Sequence, residues 1–385
     1  MKIDTIKFVI ILLLSFSIVA KGQDIQFVEM ESLPEARSSL TSANNEGAIF
    51  IVNGFGETEQ YTDEIYKYDI AMNAWSILTS STIPKRYASA EIIGDYLYVF
   101  NGVTENSALN SAVEKIDLVS GSVEYLPNNP QPCRAAGVTK WNSKIYSFGG
   151  TLEPNEYSNK LYEFDPQNNV WTELAEIPFA GETKGEVVDG KLYIIGGYNG
   201  VVSNRIDVYN ISTNEWEANF VMPVGISAHA TALIDSKIYL VGDFSNLTSV
   251  AYFDTSDSDF QILTNNLNQR RHCAAEGVGG SLFAIGGNTA SNIQSSIASV
   301  QKADVITSIN EISEIELIEV FPNPTNNDLY LNKTFEKIVI YDIQGKAIEV
   351  YNNIARINVF KFKSGMYFLK GNTDKQIFQG KFVKM

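Results

Sequence analysis

Six times along the chain an apolar run ends in a two-residue step: IFIVNG, LYVFNG, IYSFGG, LYIIGG, IYLVGD and LFAIGG. The second step residues are Gly54, Gly102, Gly150, Gly197, Asp243 and Gly287, at intervals of 48, 48, 47, 46 and 44. A period in the forties means one supersecondary unit per repeat, a unit that cannot bury its faces alone and must stack on its neighbours. A second mark follows most steps. Tyr68 precedes Trp75 by seven residues; Phe164 and Trp171, Tyr209 and Trp216, and Phe253 and Phe260 keep that spacing, with Ile116 and Val123 a weaker version. Polar segments such as DPQNN and NISTNE lie between the two marks, so each pair reads as a hairpin.

Before each apolar run comes a stretch of small residues, for example ASA from Ala88, AAG from Ala135 and AAEG from Ala274. Each unit therefore reads as four strands. Small residues let backbones converge on an axis, and aromatic rings fill the widening wedge between neighbours. With the Gly pair, aromatic and Trp at fixed offsets, residues 26–305 resemble the kelch family. The resemblance implies an all-β, six-bladed propeller. Asn replaces the first Gly in the first two repeats, Asp243 replaces a second Gly, and repeats two and six lack the Trp. After its step the sixth repeat runs on as SIASVQKADV without a hairpin partner, while IQFVEMESLPEAR near the start matches a fourth strand. The N-terminal strand, centred on Phe27, is expected to complete the sixth blade.

The ends of the chain carry addresses. Lys2 and Lys7 flank an apolar run from Phe8 to Ala20, and small residues follow, so a signal peptide over 1–22 is expected, cut between Gly22 and Gln23. The run is short for a membrane span, and no transmembrane anchor is expected in the mature chain. From Phe321 onward ten basic residues oppose five acidic ones, a net +5, leaving -21 for the rest of a chain whose total is -16. That sign change marks a separate unit, and the acidic remainder disfavours nucleic acid as a partner. Residues 320–385 read as a small antiparallel sandwich with the blocks PNPT, YD..GK, SG.YFLK and a terminal K.FVKM. This order resembles the sorting domain of the type IX secretion system of Bacteroidota, through Pro322, Asn323, Pro324, Gly345, Lys346, Gly365 and Tyr367. The resemblance implies an Ig-like sandwich, engagement with the type IX machinery, and a secreted or outer-membrane surface location. The expected order is signal peptide 1–22, propeller 23–306, linker 307–318 and sorting domain 319–385.

Candidate chemistry is sparse. Basic residues cluster in phase near the start of the small-residue strands: Arg86, Arg134, Lys184, Arg271 and His272, with Tyr87 adjacent and Arg37 and His229 in nearby phases. Arginine grips carboxylates bidentately, so these residues are expected to line a channel mouth that binds an extracellular protein or glycan without catalysis. The alternative is a carbohydrate-active enzyme of the sialic-acid mutarotase (N-acetylneuraminate epimerase-like) kind, with Glu182 or Glu276 as acid or base beside Arg134 and Arg271. A copper radical oxidase would need its two His on a common site with a cross-linked Cys and Tyr, a pattern this sequence lacks. Asp254, Asp257 and Asp259 fall where other repeats place a hairpin turn, and turn chemistry explains them without calcium. No cofactor is expected. Cys133 and Cys273 fall on opposite blades and are expected to be free thiols.

Overall fold

The computed structural model describes residues 24–56, 60–290, 295–305, 316–343, 346–373 and 376–385. The expected signal peptide with its cleavage pair Gly22 and Gln23, and Gly345 of the sorting motif, lie outside these residues. Two compact units result, Met1–Val305 and Ile306–Met385.

Among the described residues, the first unit contains six four-stranded antiparallel sheets. Their innermost strands are Thr41–Asn44, Arg86–Ile93, Gly137–Trp141, Glu182–Val188, Ala230–Ile234 and Ala274–Val278, here blades 1 to 6, and each packs on the next, with the sixth returning to the first. The hydrophobic interior is accordingly six layers, one between each pair of blades. Phe50 and Val52 of blade 1 meet Ala90 and Val99 of blade 2. Ile49 and Tyr68 on the opposite face of blade 1 meet Phe283 and Ile285 of blade 6. Alternation along a buried strand feeds two layers at once, which is why the apolar runs are continuous.

The seven-residue spacing is a cross-strand register. Tyr68 faces Trp75, Phe164 faces Trp171, Tyr209 faces Trp216, Phe253 faces Phe260 and Ile116 faces Val123. The three aromatic–Trp pairs have ring centroids 4.7, 4.7 and 5.2 Å apart.

The step residues fasten blade to blade. The amide of Gly54 donates to Lys85 O, Gly102 to Cys133 O, Gly150 to Gly181 O, Gly197 to Ile226 O and Gly287 to Arg37 O, all at 2.8–2.9 Å. The last of these joins blade 6 to blade 1. These glycines have φ between 92° and 116°, a region closed to other residues. The first step residues have φ between 51° and 72°, where Asn is tolerated, so Asn53 and Asn101 fit. At Asp243 the carboxylate accepts from the amides of Ser227, Ser245 and Asn246 at 2.8–2.9 Å instead.

Closure uses the start of the chain. Val28–Glu29 pairs with Lys302 and Gln301, on the outer edge of the sixth sheet. Phe27 is buried beside this strand, its amide donating to Asn266 Oδ1 and its carbonyl accepting from Asn266 Nδ2. Cys133 and Cys273 are buried free thiols, and burial pushes them up to about 12 and about 11. The Asp254 turn carboxylate accepts from Ser256 and Ser236.

In the second unit, pairing joins six strands among the described residues into one continuous network. The long strands Asp328–Tyr341 and Ala347–Asn358 pair with each other, with a register break between Tyr330 and Phe335. Leu329, Phe335, Ile338, Phe378 and Phe382 fill the inner face. Glu316–Leu317 pairs with Phe378 and Gln379, and Ile318 is buried in that core. The expected linker 307–318 therefore ends earlier, because Glu316 and Leu317 pair into this sheet and Ile318 packs in its core. The sorting-motif blocks meet across it. Asn323, flanked by Pro322 and Pro324, clips the terminal strand through Lys381 O and the Val383 amide, and Thr325 pairs with Lys384. Lys346 closes a turn on Asp342, Gly365 opens the strand Gly365–Thr373, and the Tyr367 ring stacks on Phe382 at 5.3 Å.

Candidate functional site

The inner strands run from one end of the channel to the other, so residue phase along them reads as depth. Seventeen residues before the second step stand Arg37, Lys85 and Arg270. All three are buried within their own blades. Arg37 binds Glu64 at 2.5 Å and lies 4.1 Å over Tyr66, Lys85 pairs with Glu114, and Arg270 donates to Gln301 at 2.9 Å. These cations are structural, and Arg37 takes no place at the mouth.

One residue further along are Arg86, Arg134 and Arg271, on blades 2, 3 and 6. The guanidinium groups of Arg86 and Arg271 meet aromatic rings. Arg86 lies among Phe55, Tyr61 and Tyr87 at 5.2–5.4 Å, and Arg271 lies 4.1 Å over the half-exposed Phe244. Arg134 and Glu182 act in opposite senses on the Tyr157 phenol, which burial chiefly raises. Glu182 accepts from Thr151 Oγ1 at 2.6 Å.

Next comes a constriction. Ser39, Tyr87, Ala135, Ala228 and His272 share one phase and a left-handed backbone, φ 47–55°. The amide of His272 donates to Ala228 O, Ser39 to His272 O, Tyr87 to Ser39 O and Ala135 to Tyr87 O, at 2.8–3.0 Å. This belt of backbone bonds links blades 5, 6, 1, 2 and 3. A non-glycine residue held there costs roughly 1–2 kcal/mol, offset by amides that would otherwise be unpaired. The belt is interrupted at blade 4, where Glu182 occupies the phase and the register shifts before Lys184. His229, His272 and Lys184 line a small space of about 50 Å³ inside it. Burial pushes both imidazoles down to about 4, so they are neutral, and it lowers the Lys184 ammonium, which donates to Ala136 O at 3.2 Å.

Beyond the belt the channel widens to about 350 Å³. Three glutamates enter it from alternate blades: Glu91, Glu186 and Glu276, each eleven residues before its second step residue. Ser42 Oγ at 2.5 Å and Asn44 Nδ2 at 2.7 Å donate to Glu276. Thr231 Oγ1 donates to Glu186 at 2.8 Å and Thr139 Oγ1 at 3.3 Å, while Lys140 pairs with Glu91 at 3.1 Å. Desolvation pushes Glu186 up to about 8 and Glu276 up to about 7, with the neighbouring Glu91 adding to both.

The expected residues are thus divided. Arg86, Arg134 and Arg271 share one phase at one end, Tyr87 and His272 lie one residue deeper in the belt, and His229 and Lys184 line the same small space. Glu182, which shares the Tyr157 phenol with Arg134, lines the small space, and Glu276 lines the wide one, so the two acids do not share a cavity. Sequence reasoning missed Glu91, Glu186 and Lys140, although an acid at one fixed phase in a small-residue strand was a readable signal.

A ring of stacked four-stranded blades defines a β-propeller. The KLHDC2/KLHL20/DRC7 Kelch-repeats domain matches residues 39–243, and the chain belongs to this family. A secretion system C-terminal sorting domain matches residues 319–385, so the second unit is a type IX sorting domain that sends the chain to the cell surface or outside. Among the described residues no helix is long and apolar enough to cross a membrane. The chain is similar to Kelch repeat and BTB domain-containing protein 2 of cowpox virus, 28% identical over 29% of this chain and 21% of that protein. It is also similar to Kelch-like protein terF of Aspergillus terreus, 33% identical over 24% of this chain and 22% of that protein. The chain spans about a fifth of the length of these relatives. The solved structure of YjhT superposes with a TM-score of 0.60 at 18% identity, covering 70% of this chain and 95% of that one. At that identity the likeness concerns the fold alone.

Proposed function

We propose that the exported propeller is a non-catalytic recognition module that takes carboxylate groups of an extracellular protein or glycan at the arginine end of its channel. The supporting observation is that Arg86, Arg134 and Arg271 share one phase on three blades, with Arg86 and Arg271 laid against aromatic rings. A guanidinium over an aromatic face keeps its charge and presents its donor edge outward, the arrangement that suits a carboxylate. Titration with a poly-glutamate peptide and with N-acetylneuraminic acid by calorimetry tests this reading. Binding should weaken at least about tenfold in Arg86→Ala/Arg271→Ala and fall with added salt. Unchanged affinity in that variant discards the reading.

A second reading, a carbohydrate-active enzyme, draws on Glu186 and Glu276, two acids poised near neutrality in one cavity. Anomer exchange of N-acetylneuraminic acid, followed by NMR, should accelerate with the protein present and slow in Glu276→Gln. An unaltered exchange rate removes mutarotation.

A further inference from the structure

Trp141 ends the inner strand of blade 3 at the end of the channel away from the arginines, 38% exposed. It is the one exposed indole of the four in the chain; Trp75, Trp171 and Trp216 are half-buried. Its ring rests on the bare backbone of Gly190, where an added Cβ would lie 3.7–3.8 Å from indole atoms. Trp141 also lines two cavities at once. One is the wide channel of about 350 Å³, and the other is a groove of about 430 Å³ that runs outward between blades 3 and 4, past Glu163 and Asn210.

The linings have a common character. In the channel, three carboxylates face the two ammonium groups of Lys140 and Lys184, so net charge is small, while hydroxyl and amide groups of Ser42, Asn44, Thr139 and Thr231 are interleaved with them. Among the described residues no group of His, Cys, Asp and Glu could hold a metal ion. A cavity of this size accepts a small ligand. Dense alternation of donors and acceptors beside a flat aromatic face suits a molecule with hydroxyls around its rim and apolar C–H faces.

We propose that this end of the propeller is a saccharide-binding site, with one sugar ring in the channel, the next stacked on Trp141, and the chain continuing into the groove between blades 3 and 4. Glu186 and Glu276 act there as hydrogen-bonding partners of sugar hydroxyls. The site is separate from the arginine end and does not rest on the function proposed for it.

The test is titration of the full chain with chitotriose, cellotriose and maltotriose, and with spermidine as a cationic control, read by calorimetry and by acrylamide quenching of tryptophan fluorescence. At least one trisaccharide should bind and shield Trp141 from acrylamide. Trp141→Ala should weaken that binding at least about tenfold, Glu186→Gln should also weaken it, and Arg86→Ala/Arg271→Ala should leave it within about twofold. Trp141→Phe, which retains a flat ring, should restore most of it. Failure of all three sugars, binding of spermidine alone, or loss in the arginine variant with retention in Trp141→Ala overturns the proposal. That last pattern would leave the arginine-end reading standing.

Discussion

Glu186 illustrates what single residues do in this channel. Thr231 and Thr139 donate to it and Lys184 sits two residues upstream, yet burial and the like charge of Glu91 dominate and push it from 4.5 to about 8. Glu276 is eased by Ser42 and Asn44 but moves the same way, and Lys140 chiefly serves Glu91. An acid raised on folding holds its proton more tightly in the folded state. Stability is then full below the ordinary value of 4.5 and declines as pH climbs toward 8. Glu186→Gln should flatten that decline and raise stability at pH 8 by about 1–2 kcal/mol, channel water screening the remainder. Urea unfolding at pH 5 and pH 8 measures it, and a parallel loss at both would contradict it. The acid was visible in the sequence as a letter, but its neighbours come from blades 2, 3, 5 and 6. Spacing within one repeat says nothing of those encounters. Arg37 shows the converse: it lies one phase from Arg86, and a one-residue shift moves it from the mouth to an ion pair inside its blade.

At the scale of elements, the step between second and third strands is where local geometry becomes assembly. Gly102 has φ 92°, and a Cβ there would meet Arg86 O at 2.9 Å and Ala88 Cα at 3.2 Å. Gly102→Ala should destabilise by about 2–4 kcal/mol, from backbone strain and a weakened bond to blade 3. Gly94 is the control: its φ is 59° and nothing lies within 4 Å of an added Cβ, so Gly94→Asn should stay within about 1 kcal/mol. Denaturant midpoints of the two variants compare them directly. Equal losses would mean that the inter-blade bond carries no special weight. The blade pattern was legible because it repeats; the belt of left-handed residues was not. Ser39, Tyr87, Ala135, Ala228 and His272 share a backbone conformation and no side-chain chemistry, so no letter code marks them.

The whole molecule is two units with separate cores. A chain ending at Val305 should keep the propeller's unfolding midpoint within a few degrees and lose the second calorimetric transition. The same truncation should leave the protein inside the cell envelope, as fractionation and immunoblotting would show. A large drop in the propeller midpoint would mean that the units fold as one. The segment that leaves the propeller toward the sorting domain follows Val300–Asp304, which lies between Ser281–Ile285 on one side and Val28–Glu29 on the other. If the protein is held on a surface by its C-terminal side, drag on the propeller pulls on that very strand, and the load is shared between two neighbours instead of peeling a free edge. Residues Val28 and Glu29 thus serve as a clasp over the tether point, and proteolytic trimming past Glu29 would leave that strand held from one side only before it disturbed any binding surface.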